Sequence, residues 1–154
     1  MSVNYSLDTS LLHLLHRAAQ SADEWFARQS DNGQLTGRQF VVLAAVAARE
    51  GASQAAITDL TGIDRSTLAD VVGRLQSRGM VSRERAKQDS RAYSVSLTAA
   101  GRDALGAAAP IAEWADEQIM EMVPPAKREE FVAFLRAIAE RKMPVREGAM
   151  STAE

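Results

Sequence analysis

A cluster of cationic side chains between two predicted strands could bind nucleic acid. Val95 and Leu97 recur with the two-residue period of a half-buried strand, and residues 80–86 offer an arginine-rich partner strand. The loop between them, residues 87–91, reads Lys-Gln-Asp-Ser-Arg, with a cation at each end. Such charges displace counterions from DNA phosphates, and an arginine can follow a narrow minor groove. The pattern predicts a hairpin that contacts DNA.

Two short helices joined by a turn must position this hairpin. Residues 54–61 read as the first helix, Gly62-Ile63 as the turn, and the residues after Asp64 as a second helix that ends near Gly79. Asp64 suits an N-cap and Gly79 suits the left-handed residue after the last turn. Apolar residues recur at helical spacing in the second helix: Leu68, Val71, Val72 and Leu75. The pattern predicts a helix-turn-helix followed by a wing.

The opposite face of the second helix carries short hydrogen-bonding groups and two arginines, a composition suited to reading base edges in the major groove. The alternative for such a face alone is an ordinary solvated helix surface, and the adjacent hairpin favours DNA. The predicted DNA-binding residues of helix and wing are Asp64, Arg65, Ser66, Thr67, Asp70, Arg74, Arg83, Lys87, Asp89, Ser90 and Arg91.

The charge distribution supports this assignment although the net charge is −2. Residues 64–91 hold seven basic and four acidic side chains, a net +3, whereas the rest of the chain holds eleven basic and sixteen acidic ones, a net −5. Positive charge on one segment attracts DNA locally while the remaining surface repels it. Correct orientation on DNA is therefore favoured.

Composition restricts the remaining classes of function. At 154 residues with 46% hydrophobic residues the chain can bury one core, and the absence of cysteine excludes disulfides and thiol chemistry. No signal peptide or apolar stretch of spanning length is present, so a cytoplasmic protein without membrane contact is expected. Nucleophile, phosphate-loop and zinc-protease motifs are missing, which argues against an enzyme. Two histidines do not predict a metal site, and no cofactor is expected.

The flanking segments predict a mainly α fold with a small β-hairpin wing. Residues 36–98 form the predicted winged-helix lobe, residues 5–32 and 99–142 flank it as helices, and residues 143–154 are a predicted flexible tail of this single 1–154 domain. Pro110 predicts a kink in the long helix after the wing rather than a boundary. The end helices hold more apolar surface than the lobe can cover, which favours a homodimerisation layer. The alternative is a monomer whose end helices pack on the lobe.

The sequence resembles the MarR family of winged helix-turn-helix regulators over about residues 5–142. The matching pieces stand in the family's order and spacing: Asp64-Arg65-Ser66-Thr67, Arg74-Leu75 with Gly79-Met80-Val81, Asp89-Ser90-Arg91, and Leu97-Thr98-Ala99-Ala100-Gly101. The resemblance implies that Asp89 orients Arg91 in the minor groove. Ser90 departs from the family, where a second arginine is common, and this implies a weaker phosphate contact. A two-fold dimer implies a pseudo-palindromic DNA target.

The resemblance also implies a ligand cleft between the dimer layer and the DNA lobe. Imidazole and guanidinium groups can hold an anionic or phenolic head while aromatic rings hold its body. The candidate residues are His13, His16, Arg17, Arg38, Phe40 and Trp114. The alternative is that the histidines are solvated or satisfy a carbonyl across the dimer.

The segment Leu11 to Ala18, together with Asp64 to Thr67, resembles the MarR subgroup that controls breakdown of hydroxycinnamates and other aromatic acids. The implied function is a repressor released by a small aromatic acid or its coenzyme A thioester, and Arg17 and Arg38 could meet the adenosine phosphate tail of a thioester. The alternative function is a winged helix that acts through protein contacts without a small ligand.

Overall fold

The computed structural model describes residues 6–30, 35–86 and 89–140, and for residue 86 and residues 89–92 only their place in the strands. The elements follow the order α1 (Leu11–Gln29), α2 (Gly37–Ala48), β1 (Ala52–Ser53), α3 (Gln54–Thr61), α4 (Arg65–Ser77), β2 (Val81–Ala86), β3 (Asp89–Leu97), α5 (Ala99–Glu121) and α6 (Arg128–Glu140). The expected mainly α fold with a small wing is confirmed.

Local hydrogen bonds set where the first two helices begin. Ser10 accepts from the amide of His13 and so caps α1. Thr36 and Gln39 form a reciprocal capping box at the start of α2, which satisfies two amide groups that a helix start leaves unpaired. The first turn of a helix is thus set by residues three apart in sequence.

The helix-turn-helix prediction is confirmed. Gly62, with a φ of 70°, ends α3, and Asp64 caps α4. At the far end of α4, Gly79 has a φ of 70° and the amide of Met80 donates to the carbonyl of Leu75. This pattern closes a helix through a left-handed residue, a conformation that glycine adopts without a steric penalty.

The sheet contains one strand more than the predicted hairpin. Its order is β1, β3, β2, all antiparallel, and Ala52 and Ser53 of β1 pair with Val95 and Ser94 of β3. Residues 89–91 of the predicted loop belong to a strand in the structure, because β3 begins at Asp89. The register between β2 and β3 shifts between Arg85 and Ala86. Extra residues at such an irregularity bend and twist the strand.

The chain divides into two compact units, Met1–Ile119 and Met120–Glu154. The core of the first unit is built from α2, α3, α4, the strands and part of α5, with Leu43, Ile57, Leu68, Leu75 and Val95 almost completely buried. In the second unit a short 3₁₀ turn, Pro125–Lys127, precedes α6. α5 runs continuously through Pro110, so the proline is not a boundary. None of the helices in the described ranges has the length and apolar character that a bilayer crossing requires.

Candidate functional site

The start of α4 is organised by the carboxylate of Asp64. One of its oxygens, Oδ1, accepts from the hydroxyl of Ser66 at 2.6 Å and from the amide of Thr67 at 2.9 Å. These hydrogen bonds, first that of Ser66 and then that of Thr67, hold the pKa of Asp64 well below its usual range. The carboxylate therefore stays ionised and fixed at the exposed N-terminus of α4.

The predicted polar face of α4 is presented to solvent. Leu68, Val71, Val72 and Leu75 are buried against the core, whereas Arg65, Ser66, Asp70 and Arg74 are exposed and Thr67 is half-buried. Arg74 and Asp70 form an ion pair of 3.8 Å one helical turn apart. Exposed pairs of this kind contribute little to stability, so the Arg74 guanidinium can exchange partners at low cost. The structure thus leaves the predicted side chains of α4 outside the core.

The wing presents an arginine supported by an aromatic ring. The guanidinium carbon of half-buried Arg83 lies 4.9 Å from the ring centroid of Tyr93 on the neighbouring strand. This cation–π contact limits the rotamers of Arg83. Among the described side chains its Nε is one of the buried polar atoms without a hydrogen-bond partner. Tyr93 was absent from the predicted site, because the diagonal contact depends on the register that pairs it with Arg85.

The predicted wing tip is only partly described. Lys87 lies outside the described residues, and Asp89, Ser90 and Arg91 are placed in β3 through their backbone alone. The predicted action of Asp89 on Arg91 stays a prediction. The described part of the wing adds Arg85, an exposed arginine that was also absent from the predicted site.

A cavity of about 570 Å³ lies between α1, the start of α2 and α4. Its charged side chains are three carboxylates, Asp23, Glu24 and Asp70, and two guanidiniums, Arg38 and Arg74. The remaining lining comes from Gln20, Ala27, Thr36, Gly37, Gln39, Thr67 and Val71. The cavity thus shares Thr67, Asp70 and Arg74 with the exposed face of α4.

Of the six predicted ligand residues, Arg38 alone lines this cavity. His16 and Arg17 are exposed on α1, and His13 on α1 and Trp114 on α5 are half-buried. The ring of Phe40 packs against that of Phe26 in the core, with centroids 5.5 Å apart. The structure therefore does not bring the six side chains into one cavity.

The α1 residues of the cavity were missed although the sequence holds a signal for them. Gln20 belongs to one polar stripe on α1 with His13, His16 and Arg17. At the same helical spacing, this stripe continues through Asp23, Glu24 and Ala27 towards the end of α1. Gly37 permits the approach of Asp23, because a Cβ at that position would lie 2.7 Å from the Asp23 Oδ1. Extending the stripe by two turns would have included them.

A second cavity of about 220 Å³ is lined by Gln29, Ser30, Leu35, Ala104, Ala107, Ala108 and Ile111. It offers no titratable side chain. Within the described residues no group of three or more His, Asp or Glu side chains is placed to hold a metal ion.

Comparison with known proteins agrees with this architecture. A model of the MarR family matches residues 34–92. The transcriptional regulator HosA of Escherichia coli O157:H7 is 34% identical over 122 residues, which cover 79% of this chain and 90% of HosA.

Solved structures cover almost the whole chain. BpsR of Bordetella bronchiseptica, whose DNA binding is regulated by 6-hydroxynicotinic acid, is 29% identical with a TM-score of 0.81, covering 90% of this chain and 100% of BpsR. PcaV of Streptomyces coelicolor, solved with its natural ligand, is 26% identical with a TM-score of 0.81 and coverage of 91% and 98%. The repressor CouR on a 23-mer DNA duplex is 28% identical with a TM-score of 0.76 and coverage of 90% and 99%.

The homology to HosA and the winged-helix architecture identify a regulator and not an enzyme. The chain belongs to the MarR family of winged helix-turn-helix transcriptional regulators.

Proposed function

We propose that the protein is a cytoplasmic repressor that binds a pseudo-palindromic operator as a homodimer and is released by a small aromatic acid or its coenzyme A thioester. The observation that carries the DNA-binding part is the exposed polar face of α4 beside an arginine-bearing wing. In this arrangement α4 enters the major groove and the wing tip, with Arg91, reaches the minor groove. The similarity to CouR, solved on a DNA duplex, supports this mode.

Unpartnered apolar side chains support the homodimer. On α1, Leu11 and Leu12 are 76% and 66% exposed, and Leu14 and Leu15 are also exposed. In the second unit, α6 leaves Phe134, Leu135 and Ile138 exposed. Large apolar surfaces on separate helices mark protein contacts, and a two-fold dimer would present two copies of α4 to successive turns of DNA.

The cavity between α1, α2 and α4 supports the effector part of the proposal. A volume of about 570 Å³ suits a small organic ligand. Arg38 can bind the carboxylate of a hydroxylated aromatic acid, and Asp23 or Glu24 can accept from its hydroxyl group. The regulation of BpsR by 6-hydroxynicotinic acid supports this ligand class. For a longer thioester, we place the tail along His13, His16 and Arg17 on the same helix α1.

Ligand binding can act on DNA binding because the cavity and the DNA-reading face share residues of α4. A ligand that contacts Thr67, Asp70 or Arg74 would prefer an α4 side-chain arrangement different from that required by DNA. Unequal affinity for the two states is sufficient for release, and a coupling of about 1 to 3 kcal/mol would account for it.

The proposal is tested by selecting DNA from a random-sequence library with the purified protein and titrating the selected duplex by fluorescence anisotropy. We expect a pseudo-palindrome and weaker binding when hydroxylated aromatic acids or their thioesters are added. Arg38→Ala should reduce the effector response more than DNA affinity without effector, whereas Arg49→Ala, a change to an exposed arginine outside the cavity lining, should leave both unchanged. Failure to enrich any sequence would contradict DNA reading and favour a role in protein contacts.

A further inference from the structure

The hydroxyl proton of Ser66 forms a hydrogen bond within the protein. Ser66 donates it to Asp64 Oδ1 at 2.6 Å, and the same carboxylate oxygen is held by the amide of Thr67 at 2.9 Å. A serine hydroxyl has one proton to donate and two lone pairs that accept. While its proton points to Asp64, Ser66 can offer an outside partner only an acceptor.

Ser66 lies where an outside partner would meet it. It occupies the first turn of α4, is exposed, and stands on the side of the helix opposite buried Leu75. Residues in the first turn of a groove-docked helix are those that reach base edges. In the proposed DNA complex, Ser66 and Asp64 therefore face the major groove together.

A phosphate group is a poor partner for this pair. Phosphate oxygens only accept hydrogen bonds, and the ionised carboxylate of Asp64 repels their negative charge. Asp64 also occupies the positive end of the α4 dipole, which in other helices binds anions. The partner that remains is a hydrogen-bond donor on a base edge. In the major groove these donors are the amino groups N6 of adenine and N4 of cytosine.

We infer that Ser66 and Asp64 form a hydrogen-bond acceptor pair that selects an adenine or cytosine at one position of each operator half-site. This inference rests on the proposed function and specifies one feature of the DNA that α4 reads. Ser66 makes the base contact, and Asp64 acts as a positioning residue by holding the Ser66 proton away from the groove.

The test uses the selected operator with single bases replaced by analogues that lack the amino group, purine for adenine and 2-pyrimidinone for cytosine. Anisotropy titrations are run with the wild-type protein and with Ser66→Ala on the same duplexes. At one position per half-site, removal of the amino group should weaken wild-type binding about tenfold, the loss expected for one good base contact. Ser66→Ala should bind the duplex with the amino group and the duplex without it almost equally. The loss of the Ser66 hydroxyl and the loss of the amino group are then not additive.

Two Asp64 variants separate the base contact from general damage to α4. Asp64→Asn keeps an amide oxygen that the Thr67 and Ser66 donors orient, so the preference for the amino-bearing base should remain. Asp64→Gly is a tolerated N-cap that leaves the Ser66 proton free, so the preference should relax towards bases that accept. Thermal unfolding of each variant verifies that α4 is folded.

Two results would overturn the inference. The first is that Ser66→Ala and the replacement of a guanine by 7-deazaguanine, which lacks the N7 acceptor, have non-additive effects, because Ser66 would then donate to that acceptor. The second is that Ser66→Ala and removal of the amino group have additive effects at every position of a duplex that the wild-type protein still binds specifically. A wild-type protein that selects no DNA sequence at all would instead overturn the proposed function. The two failures are therefore distinguishable in one set of titrations.

Discussion

Thr98 joins the end of α4 to the start of α5 through the carbonyl of Gly79. Its hydroxyl donates to the Gly79 oxygen at 2.6 Å and accepts from the amide of Gly101 at 3.0 Å. The amide of Thr98 also donates to the carbonyl of Met80. Because these bonds connect the last turn of α4 with the first turn of α5, a displacement of the start of α5 would be transmitted to α4.

Gly101 should not tolerate a side chain. A Cβ built there would overlap the backbone carbonyl of Met80, which cannot move without disturbing the Thr98 bonds. We expect Gly101→Ala to lower the free energy of unfolding by about 3 kcal/mol, the scale of severe overpacking. Urea denaturation measures the change. The matched control is Gly106→Ala on the same helix, where nothing lies within 4 Å of the new methyl. An equal loss in both variants would contradict the steric explanation.

The stability contribution of Asp64 should depend on pH. Its folded-state pKa is lowered by the hydrogen bonds of Ser66 and Thr67, whereas an unfolded aspartate titrates at about 3.9. A lowered folded pKa means that the contribution is complete above the unfolded value and is lost as pH falls through the folded one. Wild-type protein should therefore exceed Asp64→Ala in melting temperature at pH 7, with the difference shrinking below about pH 4. A difference that stays constant down to pH 2 would contradict the lowered pKa.

Gly73 is exposed in the middle of α4, with nothing in the described structure within 4 Å of a Cβ built on it. Alanine is a better helix former by about 1 kcal/mol, so Gly73→Ala should raise the melting temperature. It lies two turns beyond Ser66 on the same face, and an added methyl would approach DNA in the proposed complex. We expect weaker operator binding by a more stable protein. Gly106→Ala should also gain stability but keep its operator affinity, and unchanged DNA affinity of Gly73→Ala would indicate that this part of α4 does not approach the groove.

The two cations of the wing tip should differ in their effect on DNA binding. If Arg91 contacts the minor groove, Arg91→Ala should weaken operator binding by about 1 to 3 kcal/mol. Lys87→Ala should weaken binding to all sequences alike and reduce the salt dependence by about one counterion. Anisotropy titrations at several salt concentrations distinguish these outcomes. If Arg91→Ala changed neither affinity nor preference, the wing would not enter the groove.

The sequence by itself determined the elements whose ends depend on neighbouring residues. The Asp64 cap of α4, the turn at Gly62 and the left-handed Gly79 were predicted, and all are present. Hydrogen bonds within three to five residues of chain and the backbone freedom of glycine are local properties. Asp64 and Gly79 also belong to the segments that carried the family resemblance, and homology confirmed that resemblance.

Only the tertiary structure decided relationships between residues distant in the chain. β1 has two residues, too few to show the alternation of apolar and polar residues that predicts a strand. It is a strand only through its pairing with β3. The contact of Arg83 with Tyr93 follows from strand register. The packing of Phe40 on Phe26 likewise depends on how α1 and α2 meet, and it sets Phe40, a candidate ligand residue, against the core. The cavity combines residues from α1, α2 and α4. Helical spacing specifies which residues share a face, but the packing of helices against each other specifies what that face meets.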